Sequence, residues 1–365
     1  MKRISALFSM VAVLLLTVGV LSAQEATEEP PMMNAPTLYV SLNPADLAND
    51  SIVAVRPDMM MSDEVGDMMS ESMHMFGGFD GITSVQSVDF TSEGTAYVTV
   101  DVAEGQGGIL VVEDMGMSES MSVGMGTRLI TGTSQAGLVS PKGLDIIEAL
   151  DLVLVANFGA NNIKGFSLSA DGDTTPTVFI DNFGGASGSI WDVHYDAETD
   201  MLFAAGTSGT LLVYGSFSAD LGANGPTSLI VPSDADGNQI SVNLHGVDYD
   251  AASDTVILTD VGSADDATDG QIFTIASVSM ASGNTPVTTA ISGAESMLGN
   301  PVDVVFDGTG AYVAEKSNDV ILYYADILDW MGMMMGEDGA ATGMIAITKP
   351  ESVTLLGGDM MMEGM

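Results

Sequence analysis

A segment of about fifty residues recurs along the chain, and a repeat of this length restricts the fold to a few architectures. Each copy has a Val- and Ile-rich strand that ends in an aromatic residue and often Asp, then a turn, a second apolar strand, a polar loop and a third strand. A short fourth strand candidate follows each copy: TRLITG, PTVFID, TSLIVP, PVTTAI and GMIAIT. Four short strands per repeat predict the blades of a β-propeller. The copies begin at Gln86, Lys142, Trp191, His245 and Val302.

The two ends of the chain supply a sixth repeat. Near the C-terminus, KPESVTLLGG has the pattern of an innermost strand, and near the N-terminus TLYVSLNPADLANDSIVAVRP has that of a second and third strand. We therefore predict an all-β fold, a six-bladed β-propeller whose last blade is shared between N- and C-terminal strands, because such closure removes the open edge of the ring. An array of β-sandwiches is the alternative, but it would not explain why the end fragments complement each other.

The repeat resembles those of the NHL and gluconolactonase-like six-bladed propellers. The copy NPVDVVFDGTGAYVAEKSNDVILYY, from Asn300 to Tyr324, is similar to the NHL pattern of Pro, an alternating strand, Asp, Gly, an apolar strand with Ala and an acid, then Asn and a third strand. The resemblance implies a fold more than an activity. It also implies that a gluconolactonase-like member would hold a divalent metal at the channel with Glu and several Asn or Asp side chains, to polarise a lactone and activate water.

The first residues have the pattern of a secretory signal peptide. Lys2 and Arg3 precede an apolar run from Ile4 to Leu21, and small residues follow at Ser22 and Ala23. An uncleaved membrane anchor is the alternative, because the run is near the lower length limit for a spanning helix. No later stretch is long and apolar enough to span, so we expect a secreted protein, periplasmic or extracellular. The expected regions are the signal peptide (1–23), a flexible acidic segment (24–36), the propeller (37–358) and a methionine-rich tail (359–365).

The charge of the chain excludes whole classes of partner. It has 50 acidic and 8 basic residues, and its formal net charge of −42 becomes −44 when Lys2 and Arg3 leave with the signal peptide. Nucleic acid and anionic lipid both need a basic surface, so neither is an expected partner. Cations are expected partners, although a highly solvated surface suited to saline or calcium-rich surroundings would explain the same negative charge. The chain has no cysteine, so its core alone must hold the fold.

Aligned inner strands predict two columns of side chains that ring the channel near one face. The first column reads Gln86, Lys142, Trp191, His245, Val302 and Glu351, and the second reads Ser87, Gly143, Asp192, Gly246, Asp303 and Ser352. Small residues in the second column are expected where the inner strands converge. The channel-facing candidates for a site are Gln86, Lys142, Trp191, His245 and Glu351. Glu351 and His245 stand where lactonase metal ligands could be, whereas a lysine in the same ring weakens that interpretation.

Catalytic motifs give little support for an enzyme. No nucleophile elbow, zinc-type His-Glu-x-x-His, P-loop or dinucleotide fingerprint occurs. Of the three histidines, His194 in WDVHYD is predicted to be a sheet residue and not a base. The second strands end in a set of polar residues that we expect on one face, either as an acidic mouth or as solvated turns: Asn43, Asp101, Asn157, Asp260 and Glu315.

Two acidic loops are candidate calcium sites. DADGN spaces oxygen ligands at alternate positions, Asp234, Asp236 and Asn238, around a glycine, and SADDATDG, from Ser263, concentrates further acids. Neither has the full calcium loop with its terminal Glu, and ordinary Asx turns are the alternative.

Methionine is concentrated in short segments that the propeller topology gathers on one face. Residues 32–33, 59–75, 115–125, 331–335 and 360–365 hold 21 of the 27 methionines. Thioethers select Cu(I) or Ag(I) and survive outside the cell, so we predict a soft-metal site. An adaptable surface for a protein partner and disordered low-complexity sequence that serves at most as an oxidant sink are the alternatives. The candidate ligands are Met59, Met61, Met73, His74, Met75, Met117, Met333 and Met361.

These patterns together predict a secreted, non-catalytic binding or scaffold propeller. Its candidate ions are Ca²⁺ and Cu(I), and its partner is an unknown protein or a soft metal ion. The alternative function is that of a divalent-metal-dependent lactonase.

Overall fold

Every blade of the ring is an antiparallel sheet whose first strand lines a central channel. The computed structural model describes residues 36–46, 50–57, 74–117, 127–263, 266–329 and 339–357. The predicted signal peptide and most of the methionine-rich segments lie outside the described residues. No helix within the described residues is long and apolar enough to cross a membrane.

The strands follow the predicted order along the chain. Three strands come first: β1 (Thr37–Asp46), β2 (Asp50–Val55) and β3 (His74–Phe76). Blade 1 comprises β4 (Ser84–Phe90), β5 (Ala96–Ala103), β6 (Gln106–Val112) and β7 (Thr127–Thr131). Blade 2 comprises β8 (Leu144–Ile147), β9 (Leu152–Asn157), β10 (Asn162–Phe166) and β11 (Val178–Ile180). Blade 3 comprises β12 (Ile190–Asp196), β13 (Met201–Gly206), β14 (Thr210–Gly215) and β15 (Ser228–Ser233).

The remaining blades repeat the plan with one addition. Blade 4 comprises β16 (Leu244–Asp250), β17 (Thr255–Asp260), β18 (Gln271–Ala276) and β20 (Thr289–Ile291). Between its last two strands, β19 (Gly283–Pro286) pairs in parallel with β15 of blade 3, which the sequence did not predict. Blade 5 comprises β21 (Pro301–Phe306), β22 (Gly310–Glu315), β23 (Val320–Ala325) and β24 (Gly343–Ala346), and β25 (Pro350–Leu356) follows it. The short helices are α1 (Phe217–Asp220) and the 3₁₀ helices Met115–Met117, Glu148–Leu150, Phe158–Ala160, Val278–Met280, Ala294–Ser296 and Ile327–Asp329.

Both ends of the chain build blade 6, as predicted. Its order from the channel outward is β25, β1, β2 and β3. Ser352 pairs with Ser41 and Val353 with Val40, in the register expected for an inner strand against a second strand. The fourth strand, β3, lies in a segment expected to be a methionine-rich loop, and its pairing of Met75 with Val53 makes it an outer strand instead.

Apolar clusters fill the spaces between adjacent blades. Strand residues alternate between the two faces of a sheet, so each blade buries side chains against both neighbours. One buried cluster lies at each of the six joints, and one residue represents each cluster: Leu110, Phe166, Phe217, Phe273, Tyr324 and Leu38. With no disulfide available, this burial and the closure of blade 6 hold the ring.

A polar side chain of each inner strand joins its blade to the next one. The joint partners, each a side-chain acceptor with a backbone N–H of the following blade, are Asp89 with Ile146, Asp145 with Tyr195, Asp192 with Val247, Asp248 with Phe306, Asp303 with Val353, and Ser352 with Val88. Inner strands of neighbouring blades belong to different sheets, so their buried N–H groups need such acceptors. We call these six contacts the joint bonds.

The joint bonds lie at two levels of the channel, three at each level. Asp192, Asp303 and Ser352 belong to the second predicted column, while the acceptors of the other three joints lie two residues further along their strands. The glycines of the column make this possible. A Cβ on Gly143 would lie 1.8 Å from Oδ1 of Asp192, and one on Gly246 would lie 2.7 Å from Cα of Asp303. The expected steric reason for these glycines is therefore correct.

Removing β25 should abolish cooperative folding, because blade 6 would lose its inner strand and two joint bonds. A chain that ends at Lys349 should unfold without a sharp thermal transition in circular dichroism. A chain that ends at Gly358 lacks only the methionine-rich tail and should keep the transition of the full chain. Equal transitions for the two truncations would show that the ring does not depend on β25.

Candidate functional site

The first predicted column meets at the face of the ring where the inner strands begin, which we call the upper face. A cavity of about 570 Å³ opens there. Lys142, Trp191, His245 and Glu351 line it, and Gln86 joins them by accepting a hydrogen bond of 2.5 Å from Nζ of Lys142. We call this cavity the upper mouth.

Glu351 is the centre of a charged cluster at the upper mouth. Its side chain is only 3% exposed, and Oε1 lies 3.0 Å from Nζ of Lys142. Nζ of Lys316 donates to Oε2. Two ammonium groups therefore face one carboxylate. Lys316 was missed in the sequence, although its place directly after the acid that ends β22 put it on the expected face.

Aromatic rings form one wall of the same cavity. Trp191 stacks on His245 with ring centroids 3.7 Å apart and planes 10° apart, and Phe158 meets Trp191 edge-on at 5.3 Å. Nζ of Lys142 lies 4.5 Å from the centroid of Trp191, a cation–π distance. Burial, followed by the charges of Lys142 and Lys316, holds the pKa of His245 well below its usual range, so its imidazole is neutral.

The residues at the upper mouth do not fit a divalent metal. Glu351 is the carboxylate that a gluconolactonase-like site would need, but both of its oxygens bind lysines. Within the described part of the chain, no group of three or more His, Cys, Asp and Glu side chains is arranged to hold a metal ion. An ammonium beside a ligand carboxylate opposes a cation there.

Three of the residues that end the second strands form neither an acidic mouth nor solvated turns, so both expectations were wrong for them. Asn157, Asp260 and Glu315 are fully buried. Asp260 accepts the N–H groups of Val242, Asn243 and Gly262. Glu315 accepts those of Gly299, Asn300, Ser317 and Asn318, and Asn157 accepts that of Val139. These side chains hold the loop that leads into each inner strand, and this also explains their burial. Asn43 and Asp101 bond to Gln86 instead.

His194 lies deeper in the channel, between two carboxylates of the joint bonds. Nε2 is 3.4 Å from Oδ1 of Asp248, and Nδ1 is 3.8 Å from Oδ2 of Asp145. Burial lowers the pKa of His194, but the two carboxylates outweigh it and the net shift is upward. A charged His194 offsets part of the negative charge of the channel, which agrees with its predicted role as a sheet residue.

The first calcium candidate is a turn that satisfies itself. Oδ1 of Asp234 accepts the N–H groups of Asp236 and Asn238, and Oδ2 accepts the side-chain amide of Asn238. The carboxylate is thus engaged by donors of its own loop, as in an Asx turn. In the second loop, Asp269 accepts the N–H of Ser263. Calcium binding by Asp234, Asp236 and Asn238 stays a prediction.

The methionine-rich segments follow strands that end on the lower face, opposite the upper mouth. β2, β6 and β23 are third strands, so each ends where the inner strands end. Met117 lies in the helix after β6, and the neighbouring Gly116 packs against Leu356 at the end of β25. His74 and Met75 are in β3, with Met75 45% exposed. The other predicted ligands, Met59, Met61, Met73, Met333 and Met361, lie outside the described residues.

Comparison with known proteins supports the fold. No family model matches the chain, and no curated protein matches it in sequence. A chain of a nidogen/laminin complex matches with a TM-score of 0.57 at 11% identity, over 88% of this chain and 98% of that one. A Lactobacillus plantarum protein matches with a TM-score of 0.54 at 12% identity, over 89% of this chain and 100% of that one. A putative 6-phosphogluconolactonase from Bacteroides fragilis matches with a TM-score of 0.53 at 9% identity, over 90% of this chain and 99% of that one. The protein is a six-bladed β-propeller, and likeness at these identities extends to the fold alone.

The buried acids of the joint bonds should make the protein more stable at mildly acidic pH. Burial is the main cause that raises the pKa of both Asp89 and Asp303 to about 7. Between the unfolded-state pKa, near 3.8, and the folded-state pKa, about 7, the folded protein binds more protons than the unfolded chain. The resulting stabilisation is complete below pH 3.8 and is lost as the pH rises through about 7. His194 acts in the same direction, while the lowered pKa of His245 acts in the opposite one. We expect a melting temperature about 2–4 °C higher at pH 6 than at pH 8.

Calorimetry at constant ionic strength measures this difference. The control is the double variant Asp89→Asn/Asp303→Asn, whose amides do not titrate and whose melting temperature should change less between the two pH values. A wild-type melting temperature that is equal or lower at pH 6 contradicts the expectation.

Proposed function

We propose that this protein is a secreted propeller that binds a ligand or partner and does not catalyse a reaction. The observation that carries the proposal is the cluster in which Lys142 and Lys316 take both oxygens of Glu351. A carboxylate held in this way is not free to bind a catalytic metal. His245 is neutral and stacked, and among the described residues no carboxylate bonds to its Nδ1 to orient it as a base. Secretion is supported by the sequence pattern of residues 1–23.

A binding role also agrees with the other features of the ring. One of the similar folds comes from a structure of a protein complex, that of nidogen and laminin, which supports the use of such a ring as a docking platform. The upper mouth has an aromatic wall and charged side chains, the usual composition of a ligand pocket. The third strands that precede three of the methionine-rich segments end at the lower face, so a partner of those segments would differ from a ligand of the upper mouth.

Lactone hydrolysis is the alternative, and the likeness to a putative 6-phosphogluconolactonase is what favours testing it. We expect no hydrolysis of gluconolactone or 6-phosphogluconolactone above the rate without protein, with or without Ca²⁺, Mg²⁺, Mn²⁺ or Zn²⁺. Proton release in a weakly buffered indicator assay measures the rate. Metal-dependent turnover that Glu351→Gln abolishes would refute the non-catalytic proposal, whereas turnover that survives this variant would point to contamination.

Soft-metal binding by the lower face is the more specific part of the proposed function. It is supported by the convergence of β2, β6 and β23 on that face and by the helix Met115–Met117, whose Gly116 contacts the end of the blade 6 inner strand. Thioethers carry no competing proton, so the site would retain Cu(I) at mildly acidic pH, where a histidine-only site would weaken.

We expect Cu(I) binding in the presence of a competing chelator, and about tenfold weaker binding when the methionines of residues 59–75 are replaced by leucine. The matched control replaces Met280 and Met344 by leucine, because both are exposed but lie outside the methionine-rich segments. Unchanged affinity in the first variant would favour a partner surface or disordered sequence over the metal site.

A further inference from the structure

The upper mouth concentrates positive charge in a chain that has little of it. Only 8 residues of the whole sequence are basic, against 50 acidic ones. Two of them, Lys142 and Lys316, line the upper mouth and share the single carboxylate of Glu351. Three further carboxylates near the cluster have donors of their own: Asp101 accepts from the side chain of Gln86, and Asp192 and Asp303, which line the adjoining small cavity, accept the backbone N–H groups of the joint bonds. An anion is therefore the charged ligand that these ammonium groups would accept.

Several polar atoms around the upper mouth lack partners. Nδ1 of His245, Oδ1 of Asn243 and Oδ1 of Asn300 are buried and have no hydrogen-bond partner among the described residues. All three residues line the cavity. Buried polar groups are normally satisfied, so three exceptions beside one cavity are places where an ordered water or a bound molecule would complete the set. The three atoms are themselves closed off from solvent, so a molecule in the cavity would reach them after a rotation of the side chains. The two amide oxygens are acceptors and would match hydroxyl or amine donors of that molecule.

The size and apolar parts of the upper mouth favour an organic molecule over an inorganic ion. Its volume of about 570 Å³ lies within the range of small-molecule pockets. Phe158, Trp191 and Val302 contribute apolar surface, and Val242 is 57% exposed at the cavity, an unusual position for a valine. An inorganic anion would leave this surface in contact with water.

We propose that the upper mouth binds a small organic carboxylate with hydroxyl or amine donors, and that Glu351 is the internal counter-ion which such a ligand competes with for Lys142 and Lys316. The inference rests on the proposed binding function and adds the class of ligand. The ligand carboxylate would accept hydrogen bonds from the two ammonium groups. Its donors would meet the amide oxygens of Asn243 and Asn300 once those side chains rotate toward the cavity, and its carbon atoms would contact Phe158 and Val242.

The two tryptophans of the chain make a direct test possible. Trp191 is at the upper mouth, and the other, Trp330, lies outside the described residues and can be replaced by phenylalanine. In this Trp330→Phe background, malate is the probe, and a saturable change in Trp191 emission reports binding next to Lys142. The neutral analogue malamide and the cation putrescine are the matched ligands, and neither should change the emission.

Two substitutions of charge give effects of opposite sign. Lys316→Met should weaken malate binding by about tenfold or more, because one charge-assisted hydrogen bond is lost. Glu351→Gln should strengthen it, by about tenfold, because the competing carboxylate is removed while the shape is kept. Arg128→Met is the control. It also removes one positive charge, but Arg128 donates to the carbonyl oxygens of Leu168 and Ala170 and does not line the upper mouth, so its replacement should leave affinity unchanged. Thermal melts of each variant show whether it is folded, and malate should raise the melting temperature of Glu351→Gln more than that of the parent.

The outcomes separate this inference from the proposed function. The inference is overturned if malate gives no saturable change in the Trp330→Phe background, if malamide acts equally well, or if Glu351→Gln weakens binding. A metal site or a purely structural role for Glu351 would produce the last result. Lactone turnover would refute the non-catalytic function and leave the malate result to be judged separately.

Discussion

The joint bonds between inner strands are the interaction on which the rest of this propeller depends. Inner strands of neighbouring blades come together at the channel, yet they belong to different sheets and cannot satisfy one another through backbone pairing alone. Each joint therefore uses one carboxylate or hydroxyl from the preceding blade, as Asp192 does for Val247. A buried N–H group without an acceptor costs more free energy than the hydrogen bond itself contributes. The requirement explains why acidic side chains reach the centre of a protein that already carries a large negative charge.

The same logic separates the structural acids from the candidate site. The acids of the joint bonds and of the second-strand ends accept hydrogen bonds from backbone N–H groups, so these carboxylates stabilise the fold itself. Glu351 differs because its partners are side-chain ammonium groups and not backbone donors. A charge balanced by side-chain ammonium groups could exchange partners with a ligand, whereas one that fixes a loop could not do so without loss of structure. This difference is why the proposed ligand site is placed at the upper mouth.

Fold neighbours match this ring at about a tenth sequence identity. A propeller needs alternation along four short strands, small residues where strands converge and acceptors at the joints, and many sequences meet these conditions. The column facing the upper mouth is under no such requirement. Trp191 beside Lys142 in one column gives this chain an aromatic, cationic wall, and function has to be argued from those residues.

The sequence by itself determined the blade pattern, the sharing of blade 6 and the membership of the channel column, because these follow from strand alternation and from a repeat with a constant period. The sequence also indicated why Gly143 and Gly246 are glycines, because a side chain at either position would clash with the neighbouring inner strand. Local sequence could not show that β3 is a strand or that β19 pairs with blade 3, because both depend on partners distant in the chain. Nor could it show that Lys316 reaches Glu351 or that Glu315 is buried. A charged side chain can be solvated, bonded to a backbone N–H or paired with another charge. Which of these occurs depends on the groups that surround it in three dimensions, so only the tertiary structure decided it.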